Sequence, residues 1–133
     1  MADQTAATAP SPADAEVAVA RLEAMSADLL GCVILAADGS PLAASGDLGH
    51  WADAGRSMLE AADAAAGRPV THAHVGTEDG EAFAVRLDGF ALVAAAERFA
   101  LAGLMLFDIR SVLRDLARGP AAKPLPDAPA EAA

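Results

Sequence analysis

The sequence predicts an α+β domain with elements in the order α-β-β-α-β-β-β-α, and three observations carry that prediction. Two Asp-Gly pairs, Asp38-Gly39 and Asp88-Gly89, each join two apolar runs, a strong hairpin signal because both residues tolerate positive φ. Between the two hairpins, residues 48–66 carry helical periodicity. Two further helical patterns flank the pair, one on each side.

Each element has its own signals. The first helix is predicted over 12–27: Pro12 suits the first turn, and Asp14 and Glu16 favour the positive helix N-terminus. Ala15, Ala18, Val19, Leu22, Met25 and Leu29 recur at helical spacing, and Gly31 is expected to end the helix. Residues 32–37 (CVILAA) are apolar on both faces, which places them in a central strand covered on both sides. The return strand is expected at 42–45, with Pro41 marking an edge or an irregular start. In the second helix, 48–66, Asp47 is the candidate N-cap, and Gly67 followed by Pro69 supplies the stop. Leu48, Trp51, Gly55, Met58, Leu59 and Ala62 form one stripe, while Arg56, Glu60 and Asp63 face elsewhere. A weakly alternating strand follows at 70–77, then a turn at 78–80. Along 81–87, Phe83, Val85 and Leu87 point one way and Ala82, Ala84 and Arg86 the other. Residues 90–96 are again apolar on both faces. The last helix, 101–117, lines Ala102, Met105, Leu106, Ile109, Val112, Leu113 and Leu116 on one side, with Asp108, Ser111, Arg114 and Asp115 away from it.

The chain of 133 residues reads as one domain over 12–117 between Ala/Pro-rich tails, 1–11 and 118–133, which are expected to be disordered. A folded part of roughly 100 residues is often marginal alone, so oligomerisation is a natural supplement. Apolar residues make up 54% but aromatics only 4%, so the core is expected to draw on Phe83, Phe90, Phe99, Phe107 and Trp51 beside the aliphatic residues. A net charge of −10 argues against nucleic acid and against anionic membranes, which need clustered Lys and Arg. The single cysteine, Cys32, fits a reducing compartment. With no secretory leader pattern and no run of 18 apolar residues, a cytoplasmic location is expected.

Three stretches together resemble the Roadblock family, the dynein light-chain class with many bacterial members. They are the first helix running into GCVILAADGSPLAAS (31–45), the middle helix ending at GRPV (67–70), and TEDGEAFAVRLDGFALVAAAER (77–98) followed by LAGLMLFDIRSVLRDL (101–116). The resemblance spans residues 17–116. It implies a five-stranded antiparallel sheet in the order 2-1-5-4-3, with the first and last helices on one face and the middle helix on the other. Strands one and five, central in that order, are the two that read as apolar on both faces. The resemblance also implies a homodimer paired through middle helices and third strands, and a non-enzymatic role in binding small Ras-like GTPases or tethering motor and signalling complexes. The expected dimer interface comprises Trp51, Gly55, Met58, Leu59, Ala62, Val70, His72 and His74. Within it, Gly55 is taken to admit a second helix and Trp51 to anchor it, with a core role for Trp51 as the other reading.

No residue pattern adds a catalytic constellation, a cofactor or a metal. His72 and His74 share a strand face about 7 Å apart, but a metal site needs three or four ligands. They read instead as polar residues of an edge strand. Cys32 lies in an apolar strand, which assigns it to packing rather than nucleophilic chemistry. Neither GxGxxG nor GxxxxGK[ST] occurs. Ser45, Asp47 and His50 fall close together, but Asp47 is better used as a cap, and Arg86 reads as a solvated strand charge. The expected function is therefore a cytoplasmic homodimeric adaptor for a small GTPase or an associated signalling protein. The alternative is a small-ligand sensor module on a similar scaffold.

Overall fold

The computed structural model describes residues 10–119. The elements are α1 (Pro12–Met25), β1 (Leu29–Leu35), β2 (Pro41–Ala44), α2 (Leu48–Ala66), β3 (His72–Gly76), β4 (Glu81–Leu87), β5 (Phe90–Ala96) and α3 (Ala102–Arg118). All strand pairs are antiparallel and the sheet order is β2-β1-β5-β4-β3, as the resemblance implied. The tails assigned to 1–11 and 118–133 lie outside the described residues, save for Pro10, Ser11, Arg118 and Gly119. Of these, Ser11 caps α1 by accepting the Asp14 N–H at 3.0 Å, and Arg118 closes α3.

The helix ends follow local chemistry. Asp47 caps α2 by accepting the His50 N–H at 3.0 Å, and Gly67 terminates it in the left-handed region at φ 75°. The first helix stops earlier than its periodicity suggested, at Met25, where the Ser26 N–H still reaches the Leu22 carbonyl. Ser26 is buried and its hydroxyl donates to Met105 Sδ at 3.0 Å, so the chain turns there toward the sheet. Gly31 consequently does not end the helix but lies inside β1.

The two Asp-Gly turns differ. At Asp88-Gly89 both residues have positive φ, 53° and 90°, as a two-residue hairpin of type I′ requires. At the other turn only Gly39 does, at φ 89°, while the Gly39 N–H reaches the Ala36 carbonyl and the Ala36 N–H reaches Ser40. That is a type I turn followed by a glycine bulge, consistent with the register shift between Ile34 and Leu35. The Asp38 carboxylate accepts from both the Ser40 N–H and hydroxyl, at 2.9 and 2.6 Å.

Two cores lie on the two faces of the sheet. On one, α1 and α3 cover Cys32, Ile34, Phe83, Leu92 and Ala94 with Leu22, Ile109, Val112 and Leu113. On the other, α2 covers Val33, Leu35, Ala84 and Val93 with Ala52 and Leu59. β1 and β5 therefore contribute to both, as their two-faced apolar sequences predicted. Two residues expected in the core are outside it: Phe99 is 78% exposed and Phe107 59%. Conversely Asp108, expected on the solvent side of α3, is only 7% exposed, because α1 packs alongside and covers that flank. Asp115, on the same flank, pairs with Arg21 of α1 at 2.6 Å. Among the described residues no helix is long and apolar enough to cross a membrane.

Candidate functional site

The residues named as an interface come from α2, β3 and the connection between them, and the structure divides them between three environments. Gly55 and Leu59 are buried against the chain's own sheet. An ideal Cβ on Gly55 would lie 2.9 Å from Val33 Cγ1 and 3.4 Å from Leu35 Cδ1. The glycine therefore lets α2 approach β1 of its own protomer, which corrects the reading that it admits a second helix. Trp51 is half-buried and its indole lies on β1: a Cβ on Gly31 would stand 2.3 Å from Trp51 Cζ2. A glycine in the strand and a tryptophan on the helix thus fit each other. The indole packs within the protomer, half-buried against the α2-side core.

Met58 and Ala62 are half-buried on the flank of α2, and its outward side carries Ala54, Ser57, Ala61 and Ala64, all exposed. The stripe that sequence periodicity picked out is thus the inward one, because a hydrophobic period reports the face that is covered and not by what. The surface α2 offers outward is the complementary side, small residues interspersed with the exposed His50, Asp53 and Glu60.

β3 is an edge strand, paired with β4 alone. The Arg86 N–H donates to the Thr71 carbonyl and the Thr77 N–H to the Gly80 carbonyl, both at 2.8 Å. In an antiparallel ladder, bonded and non-bonded pairs alternate. The intervening residues His72, His74 and Gly76 therefore turn their backbone groups to the open edge. The same alternation puts the two imidazoles on the α3 side of the sheet, beside Val85 and Phe83, rather than on the α2 side. His74 stacks on Phe83 with ring centroids 4.5 Å apart and 2° between planes, and its Nε2 meets the Glu81 carboxylate. That bond, together with the Phe99 N–H, holds the Glu81 carboxyl below its ordinary value. Among the described residues no group of three or more His, Cys, Asp or Glu side chains converges as metal ligands would.

The α2–β3 connection is clamped. Arg86, read from sequence as a solvated charge, is a bidentate partner of Asp63, with Nη1 and Nη2 each 2.9 Å from a carboxylate oxygen. Nη1 also donates to the Val70 carbonyl at 2.8 Å, and the half-buried Val70 donates its N–H to Asp63 at 2.9 Å. These bonds, the arginine first, lower the Asp63 carboxyl to about 2. Sequence reasoning missed the pair because the partners are 23 residues apart and sit on different elements.

The remaining chemical candidates are occupied structurally. Cys32 is buried, and desolvation pushes its thiol up to about 11, against a smaller opposing effect of the Ser45 hydroxyl 3.6 Å away. Ser45 Oγ also accepts the Cys32 N–H at 2.9 Å, while Asp47 is engaged at the α2 N-terminus. Neither is arranged with the exposed His50 as a catalytic relay. A shallow groove between α3 and the β3–β4 edge is lined by Thr71, His72, Leu87, Arg110 and Arg114.

No family model matches the sequence, and no curated relative is found by sequence. Solved structures do match in shape. A Roadblock/LC7 domain from Streptomyces avermitilis superposes with a TM-score of 0.66 at 17% identity, covering 77% of this chain and 94% of that one. Myxococcus xanthus MglB gives a TM-score of 0.66 at 12% identity, covering 80% and 87%. The gliding protein MglB of Thermus thermophilus gives 0.64 at 15%, covering 80% and 89%. At these identities the likeness is one of architecture, and the fold of this chain is that of the Roadblock/LC7 domain.

Proposed function

We propose that this chain is a cytoplasmic, non-catalytic homodimeric adaptor that binds a small Ras-like GTPase or an associated signalling complex. The observation that carries the reading is the open β3 edge beside the outward small-residue side of α2. Three consecutive alternate residues, His72, His74 and Gly76, direct backbone donors and acceptors into solvent with no lysine or proline in β3 to deter pairing. Antiparallel pairing of two β3 edges extends the sheet to ten strands and brings the Ala54, Ser57 and Ala61 sides of two α2 helices together. The seam accordingly uses this outward side and the β3 edge, with Met58, Ala62 and Val70 at its margin. The GTPase partner rests on the resemblance to the Roadblock family and on the likeness to the MglB structures.

Sedimentation at micromolar concentration tests the dimer, with twice the chain mass expected. His74→Pro removes an outward N–H without touching the β3–β4 ladder, and it should yield a folded monomer. A wild-type monomer, or a His74→Pro variant that remains dimeric, would contradict the seam. Titration with GTP-loaded and GDP-loaded small GTPases tests the partner, with saturable binding that differs between nucleotide states expected.

A further inference from the structure

The sheet face opposite α2 carries a second surface. Phe99, Leu101, Leu104 and Phe107 are 78, 68, 56 and 59% exposed, a concentration of large apolar side chains at the β5–α3 corner. Leu104 and Phe107 are one turn apart on the outer side of α3, and Leu101 is one turn before them. Scattered exposed leucines need no explanation, but four large apolar side chains exposed within nine residues of chain are more than scatter.

The backbone adds a second, independent argument. Phe99 holds φ at 67°, the left-handed region that a bulky side chain rarely adopts. Glycine or asparagine would occupy this position with less strain. The chain instead places its most exposed aromatic there, tethered by its N–H to Glu81 and with the Arg98 guanidinium 4.6 Å from the ring centroid. Strain held in this way is typical of binding positions.

Charge indicates the occupant. Arg98 stands at one end of the patch, and Arg110 and Arg114 continue along α3 from Phe107. None of the three has a carboxylate partner among the described residues, although the chain carries a net charge of −10. From Leu101 to Arg114 the helix presents an apolar half and then a basic half over about 20 Å, the length of a helix of about 13 residues.

We infer that this side of α3 docks a protein segment in helical form, apolar along one half and rich in carboxylates along the other. The apolar half lies across the sheet from α2, while Arg110 and Arg114 border the groove shared with Thr71 and His72, so the basic half adjoins the β3 edge of the proposed dimer.

The test is fluorescence anisotropy of a labelled 15-residue helical peptide, leucines on one face of its first half and glutamates in its second, titrated with the full-length chain. A control peptide carries lysines in place of the glutamates. Saturable binding of the glutamate peptide is expected, weakened about tenfold or more by the lysine exchange and likewise by Phe107→Ser, equivalent to about 1.4 kcal/mol. Phe99→Gly should weaken binding while raising the thermal midpoint, because it removes both an anchor and a strained residue; a merely structural role for Phe99 would not give that combination. Equal binding of the two peptides, or binding insensitive to Phe107→Ser, overturns the proposal. So does binding to phosphatidylserine vesicles in preference to the glutamate peptide. A dimer lost in sedimentation on Phe107→Ser would make a second copy the occupant. A tenfold gain in peptide affinity on Leu125→Ser would make the chain's own C-terminal segment the occupant, and either result also overturns it.

Discussion

Replacing Gly31 by alanine adds one methyl group directly under the indole of Trp51. The ideal Cβ position is 2.3 Å from Cζ2, 2.7 Å from Cη2 and 3.1 Å from Cε2 of that ring. Carbon atoms pack at about 3.5 Å or more, so the ring must retreat by over about 1 Å. It cannot do so by sliding α2 along the sheet, because Gly55 already seats that helix against Val33. The indole must instead swing outward, toward solvent. Overpacking of this kind costs about 1–3 kcal/mol, and the entropic gain of Gly→Ala in the unfolded chain returns about 0.4–1 kcal/mol. The net expectation for Gly31→Ala is a loss of about 1–2 kcal/mol in urea unfolding followed by circular dichroism. Trp51 is the only tryptophan, so its fluorescence reports on this contact alone, and a red shift of emission should accompany the loss. In a double-mutant cycle, Trp51→Leu should absorb most of the penalty of Gly31→Ala, with a coupling of about 1 kcal/mol. An unchanged unfolding midpoint together with unchanged emission would refute the seating of the indole over Gly31.

Three further outcomes are expected. Gly55→Leu drives a side chain into Val33 and Leu35 of the same protomer, so it should lower the stability of the fold by about 2–3 kcal/mol or prevent folding; a loss confined to dimer affinity, with the thermal midpoint intact, would return Gly55 to the interface. The Asp63 carboxyl is lowered from 3.8 to about 2 by Arg86 and the Val70 N–H, so its contribution is present above about pH 4 and is lost as pH falls through 2. Asp63→Asn should accordingly lose stability at neutral pH and show a shallower decline between about pH 4 and 2 than the parent chain, measured by thermal midpoints across that range. Cys32, buried and with its thiol raised to about 11, should react with an aromatic disulfide reagent at pH 8 only as fast as the fold opens, and at once in denaturant; rapid native labelling would contradict its burial.

Much of the fold was legible because local pattern and tertiary role coincide in it. The bounds of α2, β4 and β5 follow directly from caps, alternation and the Asp-Gly turns, and the two-faced apolar runs mark the central strands. What the sequence hid depends on contacts between distant segments. Gly31 reads as a helix stop until β1 is seen beneath Trp51. Arg86 reads as solvated until α2 is seen to bring Asp63 beside it. His72 and His74 could be assigned to one face together, but which face depends on the pairing of β3 with β4. The misplacement of Phe99 and Phe107 has a different cause. Composition alone assigned them to the core, although Leu104 and Phe107 fall outside the apolar stripe of α3, and that phase difference was available in the sequence. The inward stripe of α2 was likewise visible, but periodicity does not distinguish a sheet from a partner helix as the thing that covers it.

The clamp between Asp63, Val70 and Arg86 has a consequence for how this chain can change. It fixes both ends of the connection that leaves α2 and enters β3. Strand side chains alternate with a period of two, so with Val70 held by the clamp, one residue inserted between Val70 and His72 would exchange the faces of every β3 side chain. His72 and His74 would turn toward α2, and Ala73 and Val75 toward α3. The backbone groups at the open edge would change in the same step. Two inserted residues would restore both. What the link from the clamp to β3 must preserve is therefore its parity, odd or even, whereas the loop before Val70 is free to change in length.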